Sequence, residues 1–72
     1  MEKFIKELVR HKKLYKSSYQ IVDITNDTVT IENEVFGSEE LKGFVFICET
    51  YKLQFKVRSS SYCQTQIKFT QK

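Results

Sequence analysis

His11 is the single histidine in this 72-residue chain, and histidine is the side chain best suited to moving protons near neutral pH. A catalytic histidine needs a nucleophile and an orienting acid close by in the fold. Hydroxyls are present at Ser17, Ser18 and Ser59 to Ser61, but none sits in a nucleophile-elbow context. His11 is therefore expected to be a structural or surface residue. The enzyme alternative is a small nuclease pairing His11 with a nearby Lys or Tyr. Cys48 and Cys63 add two thiols; with His11 they make three candidate ligands, whereas structural zinc sites use four in close spacings. No metal or other cofactor is expected. The acidic pairs Glu32/Glu34 and Glu39/Glu40 could do acid–base work only beside a pocket, which their pattern does not provide. The two glycines, Gly37 and Gly43, make no phosphate loop. The chain reads as non-catalytic.

Residue types suited to binding are more orderly. From Tyr51 to Arg58 the chain alternates strictly: Tyr51, Leu53, Phe55 and Val57 point one way, Lys52, Gln54, Lys56 and Arg58 the other. That is the period of a half-buried strand with a cationic wet side. Lys68 extends the cationic row onto the next strand, beside Tyr62, Gln64 and Gln66. Lys and Arg neutralise phosphates, Tyr stacks on bases and Gln bonds their edges. Solvation and edge protection ask for the same residue types, so the pattern alone does not decide between them. Val45 and Ile47 are expected on this outer face as an apolar strip that could anchor a partner. A second basic group, Arg10, Lys12 and Lys13, falls in the last turn of a helix, where cations also suit the negative end of the dipole.

These residues need elements to hold them. Residues 2 to 14 place Phe4, Ile5, Leu8 and Val9 on one face and predict an amphipathic helix. Residues 19–25 and 28–35 predict a hairpin about Asn26-Asp27, a pair that tolerates left-handed backbone. Its register sets Ile24 opposite Val29 and Val22 opposite Ile31, with Ile21 on the polar face. A connection over 36–43 leads to strands at 44–49, 52–58 and 62–69. Their expected pairings are Cys48 with Leu53, Phe55 with Thr65 and Val57 with Cys63. Both thiols then lie inside, roughly 10 Å apart across two strand spacings. A disulfide needs Cα atoms within about 7 Å, so both are expected free. The fold class is α+β: an N-terminal helix followed by a five-stranded antiparallel meander, flat or curled into a small barrel.

Length bounds this to one domain, residues 1–72, with a modest core to which six Phe and four Tyr contribute large areas. The net charge of +3 suits a nucleic-acid or acidic-protein partner and argues against a DNA mimic. No apolar run approaches the roughly 20 residues of a membrane helix, and the N-terminus lacks the apolar stretch of a signal peptide. A cytoplasmic location and no membrane partner are expected; a homodimer is compatible. Lys outnumbers Arg ten to two and Ala and Pro are absent, the bias of AT-rich coding in low-GC bacteria and their phages. Together these features suggest a small accessory binding module that inhibits a host protein or nucleoprotein complex, anti-CRISPR-like in kind.

From Asp23 onward the chain also resembles the PilZ family. Asp23-Ile24-Thr25-Asn26-Asp27-Thr28 stands where that family has Asp/Asn-x-Ser-x-x-Gly at a strand turn. Leu41-Lys42-Gly43 leading into a strand, a strand pair, and a closing Gln66-Ile67-Lys68-Phe69 follow with similar spacing. Thr25 replaces the signature Ser, Thr28 replaces the Gly, and the family's upstream Arg-x-x-x-Arg is missing, since Leu14 stands four residues after Arg10. The resemblance implies a small β-barrel with a nucleotide ligand such as cyclic di-GMP near Asp23 and Thr25.

Overall fold

The computed structural model describes residues 2–60 and 63–71. Its elements run α1 (Glu2–Leu14), β1 (Gln20–Ile24), β2 (Thr28–Asn33), α2 (Ser38–Tyr51), β3 (Leu53–Ser59) and β4 (Thr65–Gln71). The four strands form one antiparallel sheet in the order β1-β2-β4-β3. β2 and β3 are both antiparallel to β4, so they run parallel to each other, and α2 carries the chain across the strand between them.

The fold is α+β with an antiparallel sheet, but two expectations are corrected. There are two helices and four strands among the described residues, and the strand order is not that of a meander; of the two forms expected for the sheet, flat or curled, it takes the open one. The expected strand at 44–49 is the middle of α2. Phe44-Val45-Phe46-Ile47-Cys48 is a continuous apolar run, and such a run fits either period. The flanks decide it. Gly37 is extended at the N-cap, Leu41 N–H bonds the Gly37 carbonyl at 3.1 Å, and the Glu40 carboxylate accepts the Gly37 N–H at 3.1 Å, half of a capping box. Leu41, Phe44, Ile47, Cys48 and Tyr51 then fall on one stripe facing the core cluster.

Both helices cover one face of the sheet. Val29 and Ile31 of β2 and Ile67 and Phe69 of β4 are wholly buried beneath them. The ring of Phe69 meets Phe4 of α1 edge-on at 4.9 Å and Phe44 of α2 at 5.4 Å. Burying each such side chain contributes about 1.5–3 kcal/mol. The shortest Cα extent is 16 Å; two layers at about 10 Å spacing fill it, which leaves the other sheet face bare.

Register differs from expectation at two places. Val22 is the extra residue of a β-bulge, so Ile21, not Val22, pairs with Ile31, while Ile24 pairs with Val29. Both isoleucines thereby stay on the helix-facing side. The β3–β4 pair is offset by four residues from expectation, with Phe55 opposite Phe69 and Val57 opposite Ile67. Four is even, so every side chain that stays within the two strands keeps its face. The longer connection that results carries Cys63 out to the surface with φ 59°, whereas Cys48 is buried in α2.

Candidate functional site: a cationic sheet face and a helix-side cleft

The bare side of the sheet carries the predicted cationic row in part. Lys56 and Lys68 are directly opposed across β3 and β4, and Arg58 pairs with Gln66 one step along the same face. Arg58 Nε donates to Gln66 Oε1 at 3.1 Å, and Gln66 Nε2 donates to Glu32 Oε1 at 3.1 Å. This chain ties the guanidinium side of the row to the carboxylate on β2. Among the described residues no carboxylate forms an ion pair with Lys56 or Lys68. Like charges directly opposite on one sheet face repel. With Gln54 and Thr70 these three cations border a shallow basin of about 310 Å³.

The other members of the predicted set are elsewhere. Lys52 is not on the strand: it is the C-cap of α2, left-handed at φ 57°, with its N–H bonded to the Cys48 carbonyl. Val45 and Ile47 belong to α2 and so lie on the opposite side of the sheet. Ile47 is 8% exposed in the core, and Val45 is exposed on the helix. The predicted apolar anchor beside the lysines does not exist, because the residues that would have supplied it are helical. Arg10, Lys12 and Lys13 lie on α1, also on the helix side, with Lys12 Nζ 5.8 Å from the Tyr19 ring centroid. Tyr62 lies outside the described residues. Asp23 is exposed on β1. The Thr25 hydroxyl sits in the β1–β2 turn, where it accepts the Thr28 N–H at 3.0 Å and lies 2.6 Å from the Thr28 hydroxyl.

His11 is only 5% exposed and joins three parts of the chain. Its ring stacks on Phe44 of α2 at 4.3 Å. Nε2 lies 3.1 Å from the Glu40 carbonyl and Nδ1 lies 3.1 Å from the Tyr19 hydroxyl. A carbonyl only accepts, so Nε2 carries the proton in the neutral ring. The Tyr19 hydroxyl, also 2.8 Å from the Leu8 carbonyl, then has one proton to divide between two acceptors. Burial holds the His11 pKa below its ordinary value; the Glu40 carbonyl and carboxylate pull it back up less strongly. Burial likewise pushes the Tyr19 phenol upward. Gly43 makes the ring's position possible: a Cβ there would stand 2.7 Å from His11 Cδ2 and Nε2. His11 is thus a pin between α1 and α2, with both nitrogens engaged.

Above that pin the helices leave a cleft of about 570 Å³. His11, Gly43 and Ile47 form its floor, and Leu14, Tyr15 and Phe46 its walls. Leu14 is 74% exposed and Phe46 71%, large values for apolar side chains sharing one rim. Reading 44–48 as a strand places Phe46 inside and conceals this site. Read at helical period, Phe46 falls off the buried stripe defined by Phe44, Ile47 and Cys48, which is the signal the sequence holds.

The two sites define a two-layer α+β protein with a cationic open sheet on one side and an apolar cleft on the other. No family model matches the chain, and no curated protein or solved structure is detectably similar to it. No helix among the described residues is long and apolar enough to cross a membrane.

Proposed function

We propose that this protein is a non-catalytic binding module that docks on a protein or nucleoprotein partner, with its open sheet face making the electrostatic contacts. The observation that carries this is the directly opposed Lys56–Lys68 pair, without a described carboxylate to neutralise it. The repulsion costs about a few tenths of a kcal/mol in the free domain, and an anionic surface laid across the sheet relieves it. Arg58 differs from the lysines, since Gln66 already orients its guanidinium; it suits a fixed, directional contact, while the lysines act as mobile point charges. The phosphate backbone of a nucleoprotein complex has the charge that this row complements.

The more specific form is an accessory inhibitor of a host complex, anti-CRISPR-like, acting in the cytoplasm. Its support is compositional: the small size, the Lys-rich and Ala-free sequence, and the mixed charged surface. The test is affinity capture from a low-GC bacterial lysate, with and without nuclease, using the wild-type protein and a Lys56→Glu/Lys68→Glu variant. A partner held by the wild type and lost by the folded variant is the expected result. Equal capture by both proteins would remove the sheet face from the function.

A further inference from the structure

The helix-side cleft carries a second set of charges. On α1, Lys3, Lys6, Arg10 and Lys13 recur at intervals of three, four and three residues and so share one face. All four are exposed, and only Arg10 meets a carboxylate among the described residues, Glu7 at 3.0 Å. Arg10 and Lys13 also border the cleft. An apolar recess whose floor is rigidly pinned, with two exposed apolar side chains on its rim, therefore lies along a cationic row.

We infer that this cleft receives an amphipathic segment of a partner protein that bears an aromatic or leucine anchor flanked by Asp or Glu. This rests on the proposal that the domain docks on a protein-containing partner, and adds which part of the partner it grips. The anchor enters over Gly43 and the His11 ring packed against it, and packs between Leu14, Tyr15 and Phe46. Acidic residues one helical turn from the anchor face Lys6, Arg10 and Lys13. Helix-in-groove recognition works this way, with apolar anchors supplying affinity and flanking charges supplying orientation and on-rate. A second copy of this chain fits less well. A two-fold contact at this rim would bring each cationic row toward its own symmetry mate, with Glu7 the one carboxylate bordering the cleft and already engaged by Arg10. A lipid bilayer has the anionic charge but no ordered side chain to fill a recess.

A display library of random twelve-residue peptides, panned on the whole protein, tests this whatever the identity of the partner. Enriched peptides are labelled and titrated by fluorescence anisotropy. The expected peptides combine Phe, Trp or Leu with Asp or Glu three or four positions away. Their affinity should fall roughly 30-fold in Phe46→Ser, the scale of a hot-spot aromatic. It should also fall in Lys6→Glu/Lys13→Glu, and show a weaker salt dependence there. Phe46, Lys6 and Lys13 are exposed, so circular dichroism should report an intact fold in each variant. Lys56→Glu/Lys68→Glu should leave peptide affinity unchanged, which separates failure of the cleft from failure of the sheet face. Enrichment of neutral or basic peptides, or of none, would overturn the inference. So would affinity indifferent to Phe46→Ser, a dimer in sedimentation equilibrium that Phe46→Ser dissociates, or pelleting with phosphatidylglycerol vesicles that the same substitution abolishes.

Discussion

At the residue scale, His11 is where the chain is most sensitive to its environment. Its neutral ring fits between Phe44, Tyr19 and the Glu40 carbonyl, and desolvation disfavours the cation. The folded-state pKa is therefore lower than the ordinary value of 6.5, and the unfolded chain takes up the proton first as pH falls. The stability linked to this residue is complete above pH 6.5 and is lost progressively below it, down to the folded-state value. The urea midpoint should accordingly drop between pH 7.5 and 5.5, and the drop should shrink in His11→Gln even though that variant starts lower. A wild-type midpoint that rises on acidification would contradict this account. The expectation that His11 is structural or on the surface leaves its location open. One histidine among helical residues carries no sign of the distant carbonyl it bonds, because Glu40 is brought to it only by the packing of α2 against α1.

At the element scale, α2 shows what a one-dimensional pattern holds and what it conceals. Helix α1 and strand β3 are legible because each has a single clean period, and the β1–β2 hairpin is legible from its turn, although the bulge at Val22 breaks the period of β1. The run Phe44 to Cys48 has two: alternate residues are apolar whichever set is chosen, so strand periodicity is satisfied by default. The caps at Gly37 and Glu40 carry the contrary signal. Misplacing α2 displaces the apolar site residues as a group, moving Val45 and Ile47 across the sheet and hiding Phe46. The cationic residues Lys56, Arg58 and Lys68 survive a four-residue slip because face depends only on parity. Lys52 does not survive, since the helix takes its backbone as a left-handed terminator. Only glycine adopts that conformation without steric cost, so Lys52→Gly should raise stability by about 1 kcal/mol. It should leave partner affinity unchanged, as Lys52 is not on the sheet face. Thermal melts and repeat captures check the two halves separately; a lowered melting temperature would show that the Lys52 side chain itself stabilises the helix end.

At the scale of the whole molecule, stability is concentrated where both helices meet the two central strands. β2 and β4 hold the fully buried Val29, Ile31, Ile67 and Phe69, while all five residues of β1 are exposed. Amide exchange in deuterated buffer should be slowest for the β2–β4 ladder and its protection close to the global unfolding free energy. β1, an edge strand interrupted by a bulge, should exchange fastest among the strands. Uniform protection across the sheet would mean that the edge is held by contacts other than those described. Such an arrangement leaves the two proposed binding surfaces on opposite faces of one small unit, so each can be altered without touching the other.

The strand order has a consequence for how the chain comes into being. β4, between β2 and β3, is the last of the strands to be synthesised. Until residue 71 has left the ribosome, the nascent chain can make the β1–β2 hairpin and two helices, but β3 has no neighbour to pair with. Phe4 and Phe44 lack their Phe69 contact through that interval. Assembly of the sheet therefore ends with a single closing event, in which one late segment zips between two earlier ones. The folding of the protein is expected to be all-or-none in time as well as in temperature.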